Sequence, residues 1–222
     1  MYKFLFSLAV VATLPVTGFA KEHDLSVSAG TTGFALHVAT PLNDGLSLRL
    51  GASLLDHDKS EHTRSVDYDF QLKLRTFDML LDYYPTDRGF RLTGGLMFNG
   101  NRIDAAGLPN ASGSYVINNR RYSASEAGRL DGRIDFRNLA PYLGVGWGKG
   151  PQAEKGWGVA LDVGAMMQGR PRVSLATSGC TLPQPMCAQL AEDVSVERAN
   201  LSDKVDNFRV YPVIRAGVSY RF

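Results

Sequence analysis

The 222-residue chain is short of cysteine, of long hydrophobic runs and of any surplus of charge. Two cysteines leave room for one disulfide and exclude a disulfide-dense scaffold. Lys and Arg number 24 against 22 Asp and Glu, a net charge of +2, which excludes a strongly basic nucleic-acid binder. A mean hydropathy of -0.13 excludes a bundle of transmembrane helices. No phosphate-cradling glycine loop or nucleotide fingerprint is present, because the glycines sit mostly within alternating segments. What is plentiful is glycine, 23 residues against a usual share near 7%, together with 11 Phe, 9 Tyr and 2 Trp.

The one apolar run that stands out is N-terminal. Lys3 supplies a positive charge, residues 4–14 are mostly apolar, and Pro15 breaks the run. Gly18 and Ala20 then stand at the -3 and -1 positions of a cut before Lys21. This layout predicts a secretory signal peptide over 1–20, too short to span a membrane, followed by one domain over 21–222. A short buried helix is the competing reading. Export suits the cysteines, since Cys180 and Cys187 in a polar, proline-containing segment read as one small disulfide in an oxidising compartment. Closing so short a loop contributes about 2.5 kcal/mol and clips it locally. Without a nearby His the pair is a poor zinc site; two free thiols are the other possibility.

Past residue 20 the dominant signal has period two. Leu46, Leu48, Leu50, Ala52 and Leu54 alternate with Ser47, Arg49, Gly51 and Ser53. The same pattern runs through 90–99, 157–168 and 208–222. Each run has one apolar face and one face mixing charge, glycine and polar groups. Runs of nine to fifteen residues exceed the usual strand of a soluble sandwich and match a tilted bilayer crossing. Connections alternate in length too. Short turns at 41–44, 85–89 and 148–156 separate long polar segments at about 56–65, 101–133 and 170–207, the asymmetry of periplasmic turns and extracellular loops.

Residues 25–40 change parity, which a two-residue hairpin at Thr31-Thr32 resolves by pairing Ala29 with Phe34, Val27 with Leu36 and Leu25 with Val38. That hairpin brings the count to eight strands with both termini periplasmic. Two further parity changes, near Arg75-Thr76 and Arg137-Asn138, predict either β-bulges or segments that project beyond the lipid.

The chain ends Arg215-Ala216-Gly217-Val218-Ser219-Tyr220-Arg221-Phe222. A polar residue, a glycine two later and aromatics at the third-last and last positions (Arg215, Gly217, Tyr220 and Phe222) resemble the signal by which the barrel-assembly machinery recognises its clients. With the signal peptide and the alternating strands, the chain resembles the small Gram-negative outer-membrane β-barrels of the OmpA/OmpX/OmpW-like class. Segments Leu81-Asp82-Tyr83-Tyr84-Pro85, 89–96, 140–148 and Tyr211-Pro212-Val213-Ile214 resemble, more narrowly, an uncharacterised proteobacterial family of such barrels. The resemblance implies an all-β fold: an eight-stranded antiparallel transmembrane β-barrel with two long extracellular loops, one carrying a short helix. It implies residence in the cell outer membrane and supplies no catalytic residue. Cofactor and metal are expected to be absent.

On this register Tyr83, Phe90, Trp147 and Trp157 flank short turns as a periplasmic aromatic girdle. Arg49, Arg91, Arg209, Arg215 and Arg221 point inward with Asp82 and Asp162 as partners, and isolated charges there would be costly, so mutual pairing is expected. Eight strands enclose an interior that side chains can fill. A packed polar plug is therefore one reading; a narrow gated path, helped by inward Gly144, Gly146, Gly158 and Gly164, is the other.

The long loops carry a predicted hairpin turning at Asn118-Asn119, a capping box at Ser123–Glu126, and a helical stripe of Leu190, Val194, Leu201, Val205 and Phe208 that packs on the rim or the other loop. His57 and His62 among Asp56, Asp58 and Glu61 read as a solvated loop tip before they read as a metal site. His37 near Ser26 or Ser47 lacks any recognisable lipid A deacylase or palmitoyltransferase motif. Arg102, Arg120, Arg121, Arg129, Arg133, Arg170 and Arg172 either touch lipopolysaccharide phosphates or only solvate the loops. The expected protein is a monomer in contact with outer-membrane lipid and lipopolysaccharide, with no nucleic-acid partner. Its expected role is structural or surface interaction, ahead of a narrow channel for small or hydrophobic solutes and well ahead of a lipid A-modifying enzyme.

Overall fold

The structure is a computed structural model describing residues 23–222 apart from 62–66, 87 and 111. The expected signal peptide at 1–20 and the loop-tip His62 lie outside the described residues. The chain runs β1 (Asp24–Gly30), β2 (Gly33–Asn43), β3 (Leu46–Glu61), β4 (Asp67–Tyr83), β5 (Phe90–Asn99), β6 (Arg102–Leu108), β7 (Ser114–Ile117) and β8 (Arg120–Ser123). It continues through α1 (Ala124–Ala127), β9 (Arg129–Asp135), β10 (Leu139–Trp147), β11 (Gly156–Met166), β12 (Arg172–Ser178), α2 (Gln184–Val205) and β13 (Tyr211–Arg221). Neither helix is long and apolar enough to cross a membrane.

Eight strands close an antiparallel barrel in the order β1-β2-β3-β4-β5-β10-β11-β13, with β1 bonded to both β2 and β13. The first hairpin has the expected register, Ala29 opposite Phe34 and Leu25 opposite Val38. It turns at Thr31-Thr32, where Gly33 takes φ +91. Thr31 also stitches this turn to β13: its hydroxyl donates to Pro212 O at 2.9 Å and accepts from Ile214 N at 3.0 Å. That bond secures strands that would be marginal alone. The end with both termini and the short turns is called lower, and the end with the long connections upper.

Alternation sorts side chains as the pleat dictates. Val27, Leu36, Leu50, Met79, Leu92, Leu143, Val163 and Val218 are exposed around the outside. Ser28, Arg49, Asp82, Arg91, Thr93, Asp162 and Arg215 are buried inside. An apolar exterior over a polar interior is the inverse of a soluble barrel and suits a lipid surround. At the lower rim Phe90 packs on Trp147 with centroids 4.8 Å apart, Trp157 on Tyr220 at 5.2 Å and Tyr220 on Phe222 at 5.0 Å.

The first anticipated bulge is not there. β3 and β4 keep one register from Leu46 opposite Tyr83 to Glu61 opposite Tyr68. What changes is β4's other neighbour, which is β5 from Tyr83 to Thr76 and β6 from Lys73 to Asp67. Below this exchange the apolar side chains Phe77, Met79 and Leu81 face out, and above it Leu74 and Leu72 face in. The strand does not turn over. Its surroundings do: above the apolar belt the outward positions are Gln71, Lys73 and Arg75, and Leu72 and Leu74 face the loop residues Val205 and Phe208 inside. The second anticipated bulge is a break at 136–138, where the chain leaves β9 and enters β10 with different partners. A bulge that alternation did not foretell falls in β2 between Pro41 and Asn43, at a proline that cannot donate to the ladder.

The upper segments of β3 and β4 continue into β6, β9 and β12, a sheet standing on one side of the barrel mouth. The wall is therefore tall at β3–β4 and low at the Thr31-Thr32 turn. β7 and β8 form the expected hairpin, with Asn118 and Asn119 at positive φ. Ser123 begins α1 as expected, though its hydroxyl makes no capping bond. The short helix expected in the last loop is instead a 22-residue α2. Leu190 and Val194 bury against Tyr115, Ile117, Tyr122 and Leu130, whereas Leu201 and Val205 are half-buried and Phe208 is exposed. Cys180 and Cys187 are disulfide-bonded, with Cα atoms 6.1 Å apart, tying the end of β12 to the first turn of α2.

Candidate functional site

The barrel interior gathers its charge in two clusters. Strands β3, β4, β5 and β11 each contribute one residue to the lower one. Asp162 takes a bidentate pair from Arg49, Nη1 to Oδ2 at 2.9 Å and Nη2 to Oδ1 at 3.0 Å, and a third bond from Arg91 Nη2 at 2.9 Å. Asp82 accepts from Arg49 Nη2 at 3.1 Å and from the Thr93 hydroxyl at 2.6 Å. Arg49 Nε also lies 2.8 Å from Asp82 Oδ2, but out of line for a hydrogen bond, so that contact is purely an ion pair. Two guanidinium groups meet two carboxylates, and all four side chains are at most 5% exposed. The cluster is electrically balanced, as a buried network must be to persist.

The second cluster joins β2, β3, β4 and β13. Arg215 donates to Asp78 Oδ2 at 2.7 Å, to Thr32 Oγ1 at 2.9 Å and to Ser53 Oγ at 3.2 Å. His37 Nε2 lies 2.9 Å from the same Asp78 oxygen and 3.2 Å from Arg215 Nη1. The Asp78 carboxylate can only accept, so its 2.9 Å contact places a proton on Nε2, and the approach to Arg215 Nη1 is then a contact between two donors and not a hydrogen bond. His37 is thus held by Asp78 beside Arg215, and not by Ser26 or Ser47.

Between and above the charges sits an apolar group that the polar-plug expectation omitted: Leu80, Met97, Ala140, Tyr142, Met166 and Val213. The inward glycines make room for this filling. A Cβ on Gly164 would meet the Tyr142 hydroxyl at 2.4 Å, and one on Gly144 would meet it at 2.5 Å. A Cβ on Gly146 would lie 3.0 Å from Arg91 Nε, and one on Gly158 would lie 2.9 Å from Lys149 Cγ. The space next to each of these four glycines is taken by a neighbouring side chain.

Arg49, Asp82, Arg91 and Asp162 thus meet in one network, and Arg215 belongs to the other. Arg221 reaches the carbonyls of Gly150 and Pro151 at the lower turn. Arg209 is a correction. It is exposed, outside the lumen, and pairs with Asp206. The last residues before β13 still carry the helical turn that follows α2, with Phe208 N bonded to Val205 O. At the chain end Gly217 lets β1 approach, since a Cβ there would fall 2.0 Å from Val27 O. Tyr83 is exposed at the lower rim, with Phe90, Trp147 and Trp157. Asp78, which sequence reading passed over, alternates with Phe77 and Met79; the same parity that assigned Asp82 would have found it.

The upper sheet is laced by ion pairs: Arg133 with Asp104 at 2.6 Å, Arg172 with Asp135 at 2.6 Å and Arg129 with Asp131 at 3.2 Å. These pairs engage three of the arginines weighed as phosphate contacts. One buried acid docks α2 onto the β7–β8 hairpin. Asp193 accepts from the Tyr122 hydroxyl, from Asn118 Nδ2 at 2.9 Å and from Gln189 Nε2 at 3.4 Å. Tyr122 and Asn118 hold its carboxyl below the usual carboxylate range. A depressed folded-state pKa stabilises the folded form above the ordinary carboxylate pKa, and the stabilisation is lost as pH falls through the folded value. Acidification is therefore expected to lower amide protection in α2 and β7–β8, measured against the intrinsic exchange rate at each pH, before it affects the barrel. Asp193→Asn should weaken the docking at neutral pH and flatten its acid dependence; equal acid sensitivity in both proteins would argue against this assignment.

No family model matches the chain, and no curated protein matches it significantly. Among solved structures, the chain is similar to the crystal structure of CarO from Acinetobacter baumannii, with 26% identity, coverage of 90% of this chain and 97% of that one, and a TM-score of 0.56. CarO2 of the same organism has 24% identity, coverage of 91% and 99%, and a TM-score of 0.55, a likeness of fold alone.

Proposed function

We propose that this chain, a small Gram-negative outer-membrane β-barrel, works as a closed barrel that carries an interaction module above the membrane. The signal peptide exports it, the C-terminal residues Arg215, Gly217, Tyr220 and Phe222 engage the assembly machinery, and the mature protein is a monomer amid lipid and lipopolysaccharide. One observation carries the closed-barrel reading. Tyr142, Arg91 and Lys149 occupy the space beside Gly144, Gly146, Gly158 and Gly164, where a path would have to run. The module reading rests on the upper sheet and α2, which are far more elaborate than loops that only close a barrel.

Conductance tests the first part. Purified, folded protein in planar bilayers is expected to give no reproducible openings. Regular openings of one size would establish the narrow-channel alternative. Deletion of 109–128, which removes β7, β8 and α1, tests the second part. Cells displaying the shortened protein should keep a folded barrel and normal envelope permeability but lose adhesion. The sealed His37–Asp78–Arg215 set supplies no accessible nucleophile, so expression is expected to leave lipid A mass unchanged.

A further inference from the structure

Just above the apolar belt, the outward face of β4, β6 and β9 carries positive charge that its carboxylates do not balance. Three pairs on this face are matched one to one: Arg75 with Asp56 at 3.2 Å, Arg129 with Asp131 at 3.2 Å and Arg172 with Asp135 at 2.6 Å. Asp104 is not matched. Arg133 at 2.6 Å, Arg102 at 3.1 Å and Lys73 at 3.4 Å share it, so three cations meet one carboxylate and two positive charges are left over. Asp58 of β3, opposite Gln71, is two strands or about 10 Å away in register. Both arginines reach Asp104 through Nε alone. Among the described residues their terminal Nη groups have no hydrogen-bond partner, and the two side chains are 43% and 55% exposed. Arg172, by contrast, commits Nε to Asp135 and Nη2 to Phe136 O.

We propose that Arg102 and Arg133 bind a phosphate of lipid A, the phosphorylated acyl lipid of lipopolysaccharide, with an acyl chain lying along Phe77 and Phe98. Position argues for a lipid. Arg102 and Arg133 line a polar cleft that shares Asn99, Gly100 and Asn138 with a second cleft, at Phe77 and Phe98. Those two rings, 6.0 Å apart, close the outward apolar rows of β4 and β5 at their upper ends. From Phe98 to Arg102 is four residues, about 13 Å of extended chain and less in depth once strands tilt. One molecule with a phosphate and a hydrocarbon tail can therefore fill both clefts. Chemistry argues for phosphate, since the paired donors of a guanidinium match two of its oxygens. The inference rests on the outer-membrane reading above, with the upper end outward, but its test involves neither conductance nor adhesion.

Full-length mature protein in phosphatidylcholine nanodiscs, doped with diphosphoryl lipid A or its dephosphorylated counterpart, provides the test. Native mass spectrometry across a titration counts the lipid retained on the protein. The wild type should hold diphosphoryl lipid A about tenfold more tightly than the dephosphorylated form. Arg102→Gln/Arg133→Gln leaves Asp104 matched by Lys73 alone and should remove that preference. Asp104→Asn enlarges the surplus and should tighten retention, the opposite of what damage to the sheet would do. Phe77→Ala/Phe98→Ala should weaken both lipids and keep the preference for phosphate. Inorganic phosphate should compete poorly; full displacement by it would mean that the arginines take free anions and not a lipid. If the double arginine variant misfolds, the wild-type comparison of the two lipids still decides. Equal retention of both lipids by the wild type, or an unchanged preference in a double arginine variant with intact circular dichroism, would overturn the proposal. A barrel that conducts, or one without adhesion, would overturn the function proposed above and leave this result standing.

Discussion

Asp162→Ala is expected to cost the folded barrel about 3–5 kcal/mol, the usual penalty for stripping the partner from a buried charge. Asp162 takes three hydrogen bonds from Arg49 and Arg91, and its loss leaves two guanidinium groups sharing Asp82 in a water-poor interior. Urea unfolding from lipid vesicles reads the cost as a lower midpoint. Two controls make the result diagnostic. Asp56→Ala breaks an exposed pair with Arg75, whose side chains are 58% and 61% exposed, and should cost about 0–1 kcal/mol. The double variant Arg91→Ala/Asp162→Ala restores the charge balance and should recover part of the single variant's loss, because the sites share partners. If Asp162→Ala unfolds at the wild-type midpoint, the lower cluster is not the structural plug described above.

The second large effect belongs to the outer face. Val163 is 55% exposed and lies opposite Val145 on β10 and Ile214 on β13, midway along the apolar belt. Arginine there should cost about 2–4 kcal/mol in a bilayer, falling to about 0–1 kcal/mol near an interface. Leu42, close to the lower turn, supplies the interfacial comparison. Equal costs at the two positions would show that the belt does not meet hydrocarbon at the depth its aromatic rim implies.

The barrel could be read from the chain because alternation is a local property of each strand. Leu46 to Leu54 against Ser47 to Ser53 needs no tertiary knowledge, and the Gly30-to-Gly33 turn follows from matching apolar faces across two short strands. Asp78 was within reach by the same parity. The upper module was not. β6 is held by long-range pairing to upper β4, and β9 by pairing to β6; the partner exchange of β4 between Thr76 and Lys73 leaves no mark on the sequence beyond an inverted face. That inversion allowed two explanations, a bulge or an exit from lipid, and only pairing distinguishes them. Arg209 misled for a related reason. Alternation runs unbroken from Phe208 to Phe222, but the turn closing α2 claims the first residues and Asp206 claims the arginine. The depth of Tyr142 was hidden too, because Gly144 and Gly164 make space for its ring only once the strands are side by side.

The uneven wall has an immunological consequence. β3 continues from Leu55 to Glu61 in unbroken register with β4, after β2 has ended its pairing at Leu54. Seven residues of extended chain lift that hairpin roughly 20 Å above the Thr31-Thr32 side. With the upper end outward, as proposed above, antibodies or phage approaching an intact cell would meet the raised flank first, and sequence variation under that pressure should gather along upper β3 and β4 and along β6, β9 and β12. The low hairpin beside β13, shaded by its neighbours and fixed by Thr31, would stay constant.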